Sequence, residues 1–149
     1  MHLRAERSRR MADAIELTVA SHPRWLRLIR QAVLEYARES GFDVRDGNAI
    51  TLAVGEAVGN VMKHAYQGRT DRTFSLACRT RGGFLEIEIR DSGGPFDPSG
   101  APQLRPDELR AGGRGLYLIK TIMDEIEYGR DGEENVVSMR KRLVAATAE

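Results

Sequence analysis

The sequence is poor in the features that mark secreted, membrane and metal-binding proteins. Cys78 is the only cysteine, so no intrachain disulfide can form, and one cysteine with three scattered histidines makes no credible metal cluster. No apolar run approaches the roughly 20 residues that cross a bilayer, and the N-terminus lacks the apolar segment of a secretory signal. We therefore expect a cytoplasmic protein without a membrane partner.

An excess of charge of one sign is also missing. The chain has 23 basic and 22 acidic side chains and a net charge of +1, so no global field attracts nucleic acid. Four arginines lie in the first ten residues, and a basic terminus of this kind is more typical of a solvated tail than of a binding arm. We expect no nucleic-acid partner.

What the chain does contain is the composition of one ordinary globular domain. Its 149 residues are 41% hydrophobic and 30% charged, which is enough for one core and too little for two. We expect a flexible lead-in at 1–11 and a single domain at 12–149. The patterns predict a strand at 14–19, a helix at 23–41, a second helix at 49–66, a hairpin at 73–81 and 84–90, a helix after 112, and a second hairpin at 126–128 and 135–143.

The helix at 49–66 carries two opposed stripes. Apolar side chains recur at the spacing of a core-facing helix: Ile50, Val54, Ala57, Val58, Val61 and Ala65. The opposite side carries polar side chains: Glu56, Asn60, Lys63 and, at its margin, His64. Gly55 and Gly59 each cost about 1 kcal/mol relative to alanine. Close helix packing with a solvated stripe explains this pattern, and so does a ligand lying against a Glu-x-x-x-Asn face.

Glycine and proline concentrate after the first hairpin. Its second strand runs directly into 91–98 (DSGGPFDP), and the irregular segment at 99–110 is long enough to cover a site. The run Gly112, Gly113, Arg114 and Gly115 then opens a helix. Backbone N–H groups and the positive end of the helix dipole suit an anion at such a turn. Taken alone the signal is weak, because glycine turns before helices are common.

The order of the elements predicts the architecture. Helices and strands are partly segregated, which favours a two-layer α/β sandwich of the α+β class, with a mixed, largely antiparallel sheet covered by about three helices. A ligand would then lie between the layers. The Glu56 and Asn60 helix would face it from one side, and Asp91 and the helix start at Gly113 from the other.

At this point the motifs resemble those of a known family. Glu56-x-x-x-Asn60, Asp91-x-Gly93 and 113–116 (GRGL) are similar, in order and spacing, to the N, G1 and G2 boxes of the GHKL ATPases, which have the Bergerat fold. The runs EAVGNVMKHAY, DSGGPFDP and GGRGLYLIKTIMDEIEY resemble the branch of bacterial anti-sigma factor serine/threonine kinases. The similarity extends from about residue 15 to 143.

The resemblance implies a nucleotide site with ATP and Mg²⁺. Asp91 would accept a hydrogen bond from the adenine amino group, and Gly93 would let the backbone approach the base. The phosphate tail would lie in a cradle formed by the G2 box: Gly112, Gly113, Arg114, Gly115 and Leu116. One departure is Pro95-Phe96, where many GHKL members carry a further glycine, so we expect the cover loop to begin more stiffly here.

The N box would supply the metal ligand and the base. The resemblance implies that Asn60 gives a neutral carbonyl oxygen to Mg²⁺. Lys63, one turn further, would reach a phosphate, although a plain surface lysine is the alternative. His64 would orient its neighbours or serve only the structure. Glu56, one turn before Asn60, would take the proton from an attacking serine or threonine hydroxyl, or from water.

The implied function is partner switching, and a second hypothesis competes with it. By resemblance, the protein is a Mg-ATP-dependent kinase that binds a sigma factor and phosphorylates a serine or threonine on an anti-anti-sigma antagonist of the STAS type, and it forms a homodimer. The alternative is a nucleotide-sensitive module that sequesters its partner without significant kinase activity. A detached ATPase part of a larger signalling system is a weaker third hypothesis. Glu56 favours the kinase, since a pure binder needs no base beside Asn60.

Overall fold

The protein is described by a computed structural model that covers residues 13–95 and 114–144, with the side chain of Arg114 outside the description. Within these ranges, one five-stranded sheet packs against three α-helices. The predicted lead-in at 1–11, the cover loop at 99–110, and Gly112 and Gly113 lie outside the described residues.

The elements follow one another in the predicted order. They are β1 (Ile15–Ala20), α1 (Leu26–Glu39), α2 (Val44–Asn60), β2 (Thr73–Arg81), β3 (Phe84–Asp91), α3 (Arg114–Ile122), β4 (Glu125–Asp131) and β5 (Glu134–Arg142). A 3-10 turn, Pro23–Trp25, precedes α1, and a π-helical turn, Val61–Ala65, continues α2. None of the described helices is both long and apolar enough to cross a membrane.

The sheet has the strand order β1-β2-β3-β5-β4, and every neighbouring pair is antiparallel. Both predicted hairpins are present. Their two-residue turns contain glycines with positive φ, 59° at Gly82 and 60° at Gly132, which is the backbone that tight hairpins require. Strand β4 is longer than predicted, because the turn needs only two residues and 129–131 therefore pair with β5 instead of forming a loop.

One face of the sheet forms the core with the helices. In β3 the inward positions alternate strictly, so Leu85, Ile87 and Ile89 are fully buried. Each such side chain contributes about 1.5–3 kcal/mol when it leaves water. The next inward position on the same strand is Asp91, which the alternation carries into the interior together with the apolar residues before it.

Helix α2 begins five residues before the predicted stretch. Asp43 caps it, since its carboxylate accepts a 2.8 Å hydrogen bond from the backbone N–H of Asp46. After Asn60 the helix widens to a π turn in which the N–H of Tyr66 donates to the carbonyl of Val61 at 2.9 Å. The π turn ends at Ala65, one residue before the predicted end of the helix, and Gln67 and Gly68, both with positive φ, then turn the chain.

Candidate nucleotide site

A cavity of about 280 Å³ lies between the helices and the sheet, near the lower end of the range of about 300–1,000 Å³ typical of ligand pockets. Most of its wall is apolar, with Ile119 of α3 and Val137 of β5 among the lining residues. Polar groups enter the wall from three elements: Asn60 and His64 from α2 and its π turn, Asp91 from β3, and Tyr128 and Asn135 from the second hairpin. An apolar pocket with a few convergent polar groups is a typical small-molecule site.

Asp91 is the charged group in this wall, and its side chain is held in one position. The residue is 6% exposed. Its Oδ1 accepts hydrogen bonds from the backbone N–H of Gly93 at 2.9 Å and from the Nδ2 of Asn135 at 3.0 Å. Burying a carboxylate is unfavourable unless it is hydrogen-bonded, and these two donors offset part of that desolvation cost.

The segment after Asp91 is fixed to the end of α2 by a buried tyrosine. The hydroxyl of Tyr66 accepts a 2.8 Å hydrogen bond from the N–H of Ser92 and donates a 2.6 Å bond to the carbonyl of Thr73. Tyr66 is 4% exposed, so its hydroxyl depends on these two partners for its hydrogen bonds. The hydroxyl therefore joins three elements beside the cavity.

Gly93 allows a close contact within the protein. A Cβ at this position would lie 2.6 Å from the carbonyl oxygen of Ala65, so a larger residue would push the loop away from the π turn. Gly93 is not among the residues that line the cavity, whereas Gly94 and Pro95 are. The close contact that the structure shows for Gly93 is with Ala65, in the π turn that continues α2. A contact between the Gly93 backbone and a bound base stays a prediction.

The two N-box residues lie one helical turn apart but face different surroundings. Asn60 lines the cavity. Glu56 is half-buried, and its carboxylate leans on the first turn of α3, where a Cβ at Gly115 would lie 2.7 Å from Oε2. Gly115 therefore makes room for Glu56, a use of this glycine that the motif alone did not suggest.

The π turn changes which residue after Asn60 faces the cavity. A regular α-helix would continue the Glu56 and Asn60 stripe with Lys63. The wider turn rotates the following residues, so His64 lines the cavity and Lys63 lies outside its wall, although both side chains are exposed. Such π turns inside α-helices occur frequently at functional sites.

The G2 box is described only from its second half. Gly115 is buried at the start of α3, and Leu116 is half-buried outside the cavity wall. Gly112 and Gly113 lie outside the described residues, as does the side chain of Arg114. The phosphate cradle that the resemblance implies thus stays a prediction.

Sequence reasoning missed three residues of the site: Tyr66, Tyr128 and Asn135. Burial raises the pKa of Tyr128 to about 12, so its hydroxyl stays neutral at the cavity wall. Asn135 stands directly opposite Asp91 across β3 and β5. An asparagine shortly after a glycine turn is usually attributed to the turn, and only the strand register shows that it faces inward.

Comparisons with known proteins show the family to which the chain is similar. Residues 19–141 match the histidine kinase-like ATPase domain family. The serine-protein kinase RsbW of Bacillus licheniformis is 34% identical over 146 residues, which cover 91% of this chain and 89% of that protein. The RsbW of Listeria innocua serovar 6a is 31% identical over 135 residues, covering 85% of this chain and 86% of its own.

Solved structures show the same fold. The SiaB–SiaC complex of Pseudomonas aeruginosa contains a chain with a TM-score of 0.66 at 12% identity, and the match covers 94% of each chain. The RsbU and RsbW domains of a Mycobacterium tuberculosis protein give a TM-score of 0.64 at 20% identity, covering 87% of this chain and 32% of that one.

The chain therefore belongs to the histidine kinase-like, or GHKL, ATPase family. Within it, the chain belongs to the branch of anti-sigma factor serine/threonine kinases, and it is a protein kinase that uses ATP. Of the two competing hypotheses, this result favours the enzyme over the binding module.

Proposed function

We propose that the protein uses Mg-ATP to phosphorylate a serine or threonine on a STAS-type antagonist, and that it binds a sigma factor in competition with that antagonist. The observation that carries the nucleotide part is the buried carboxylate of Asp91, fixed at the wall of a mostly apolar cavity that Asn60 also lines. The names of the relatives support the kinase part, and a structural neighbour solved in complex with SiaC supports action on a protein partner.

Asp91 would select adenine. Both of its donors within the described residues bind Oδ1, which leaves Oδ2 to accept a hydrogen bond from the amino group of the base. The apolar wall, with Ile119 and Val137, would pack on the faces of the ring. Gly93 would serve the base indirectly, because its close contact with Ala65 sets the path of the loop.

Asn60 fits the role of a magnesium ligand. Mg²⁺ prefers oxygen ligands and retains water and substrate phosphates around it, so one side-chain carbonyl is enough. No group of three or more histidine, cysteine, aspartate or glutamate side chains in the described part of the chain could hold a metal without a nucleotide. The phosphate tail would run from Asn60 toward Gly115 and the rest of the G2 box. His64 lines the cavity and Lys63 does not, so His64 would be the better placed of the two to meet the phosphates.

Glu56 would act as the general base. The acceptor hydroxyl loses its proton to the Glu56 carboxylate while its oxygen attacks the γ-phosphorus, and ADP leaves. The position of the carboxylate at Gly115 places it next to the helix start where the G2 box would hold the phosphates. Glu56 is outside the cavity wall, so it would not compete with the adenine for space.

The test is incubation of the purified protein with Mg²⁺, γ-labelled ATP and each STAS-type protein of the same organism. We expect label on a serine or threonine of one of them. Asp91→Asn should lose most of the transfer and of the ATP affinity, whereas Asp71→Asn, an exposed aspartate paired with Arg69, should keep both. Full ATP affinity without label on any candidate would contradict the proposed substrate class, and equal affinity for ATP and GTP would contradict the role of Asp91.

A further inference from the structure

A row of polar side chains crosses three neighbouring strands at one level of the sheet. Asp91 on β3 pairs with Asn135 on β5, and Asn135 pairs with Arg130 on β4. We propose that Asn135, oriented by Arg130, is a positioning residue that fixes the Asp91 carboxylate and so determines the preference for adenine over guanine nucleotides. This inference rests on the proposed function.

The hydrogen bonds of Asn135 occupy its polar atoms. Its Nδ2 donates to Oδ1 of Asp91 at 3.0 Å and to the carbonyl of Gly94 at 2.7 Å, and its Oδ1 accepts from Nη1 of Arg130 at 3.1 Å. A carboxamide has two N–H donors, and both are used here by the protein. Asn135 lies in the cavity wall, but its N–H groups bind the Asp91 carboxylate and the Gly94 carbonyl and are not directed at a ligand.

Arg130 determines which way the carboxamide points. A guanidinium only donates, so it can bond the oxygen of Asn135 but never the nitrogen. The nitrogen is thereby turned toward the acceptor groups of Asp91 and Gly94. Since Asn135 is only 8% exposed, a flipped carboxamide would place its oxygen against the Asp91 carboxylate without water to separate them.

The fixed carboxylate explains selectivity. Asn135 and the N–H of Gly93 both bind Oδ1 of Asp91, so the carboxylate cannot rotate without losing two bonds. Its Oδ2 then faces a ligand as an acceptor. Adenine offers an amino group to it, whereas guanine offers a carbonyl oxygen at the corresponding ring position, and two acceptors repel. A carboxylate free to turn aside would tolerate guanine better, because it could avoid that repulsion.

The experiment measures ATP and GTP dissociation constants for the wild type and three variants. Asn135→Ala should weaken ATP binding by about tenfold while GTP binding changes little. The preference for ATP, which is the GTP dissociation constant divided by the ATP dissociation constant, should therefore fall by about tenfold. Asn135→Asp keeps the shape but places a second carboxylate about 3 Å from the first, so it should weaken ATP binding further, by about a hundredfold. Arg130→Met, which keeps the aliphatic length, should have a smaller effect of about threefold.

One control variant and the melting temperatures separate the possible results. Asn48→Ala, at an exposed position on α2, should leave both constants unchanged. If all variants keep the wild-type preference for ATP over GTP and differ only in a lower melting temperature, Asn135 has a structural role alone and the inference is overturned. An Asn135→Ala variant with a larger loss than Asn135→Asp would also overturn it. If the wild type binds no ATP, the proposed function itself fails, which is a different result. Should the Asn135 variants not fold, Arg130→Met alone decides.

Discussion

At the scale of single residues, the structure gives Glu56 a neighbour that explains its position. The carboxylate leans on Gly115, and the absence of a side chain there lets it reach the start of α3. The proposed base therefore depends on a glycine that lies far from it in the chain. Cys78, by contrast, is inert: burial raises the pKa of its thiol to about 12, so the reactive thiolate is scarce near neutral pH.

Glu56→Gln tests the base. Glutamine keeps the shape against Gly115 but accepts no proton, so we expect ATP affinity within about twofold of the wild type and phosphotransfer reduced by about two or more orders of magnitude. Single-turnover transfer from labelled ATP to the antagonist measures the chemical step, and nucleotide titration measures binding.

A companion variant shows whether the position of the carboxylate matters as well as its charge. In Gly115→Ala the new methyl group displaces the Glu56 carboxylate, and transfer should fall although the base is present. Wild-type transfer rates in Glu56→Gln would exclude Glu56 as the base, whatever the Gly115 variant does.

At the scale of elements, the end of α2 is where the site is assembled. The π turn brings His64 to the cavity, and the Tyr66 hydroxyl then ties the turn to β2 and to the segment after β3. Tyr66 itself is buried and its two hydrogen bonds are partly buried, so the loss of each should have a net cost of about 0.5–1.5 kcal/mol. The nucleotide site and the core are thus stabilised by the same hydroxyl.

Tyr66→Phe removes only this hydroxyl. It leaves the N–H of Ser92 and the carbonyl of Thr73 without their partner, which should lower the free energy of unfolding by about 1–3 kcal/mol. Because Ser92 adjoins Asp91, ATP affinity should also fall by a few-fold. Chemical denaturation and nucleotide titration measure the two effects.

Tyr117→Phe is the matched control for that variant, since Tyr117 is 56% exposed on α3 and its loss of a hydroxyl should change neither quantity. Unchanged stability of Tyr66→Phe would show that the hydroxyl does not link the elements as the structure indicates.

At the scale of the whole molecule, two exposed apolar side chains at the start of α1 offer a surface for the homodimer that the resemblance implies. Trp25 is 38% exposed and Leu28 is 56% exposed, so neither side chain is part of the core. Trp25 ends the 3-10 turn that leads into α1, and Leu28 follows three residues later in the first turn of the helix. Large exposed apolar side chains grouped in this way are typical of interfaces.

Leu28→Glu should convert the proposed dimer to a monomer, because it places a charge in an apolar contact. Light scattering after size exclusion gives the molar mass directly. Leu52→Glu provides the control, since Leu52 is 42% exposed on α2 and should tolerate the charge without a change in mass. A wild-type protein that is monomeric at all concentrations would contradict the homodimer, and a Leu28→Glu variant that stays dimeric would place the interface elsewhere.

The amino-acid sequence determined the local structure of this protein. Periodicities of two and of about 3.6 residues predicted both hairpins and the buried stripe of α2, because each depends on contacts between near neighbours in the chain. The three motifs identified the family for the same reason: Glu56 with Asn60, and Asp91 with Gly93, are short-range patterns.

Only the tertiary structure decided which distant side chains meet. That Asn135 faces Asp91 follows from the register of β5 on β3, and that Gly115 accommodates Glu56 follows from the packing of α3 on α2. The exchange of Lys63 for His64 at the cavity follows from one π turn, which no periodic pattern in the sequence indicated. These arrangements depend on contacts between residues far apart in the chain, and such contacts form only when the sheet and helices pack together.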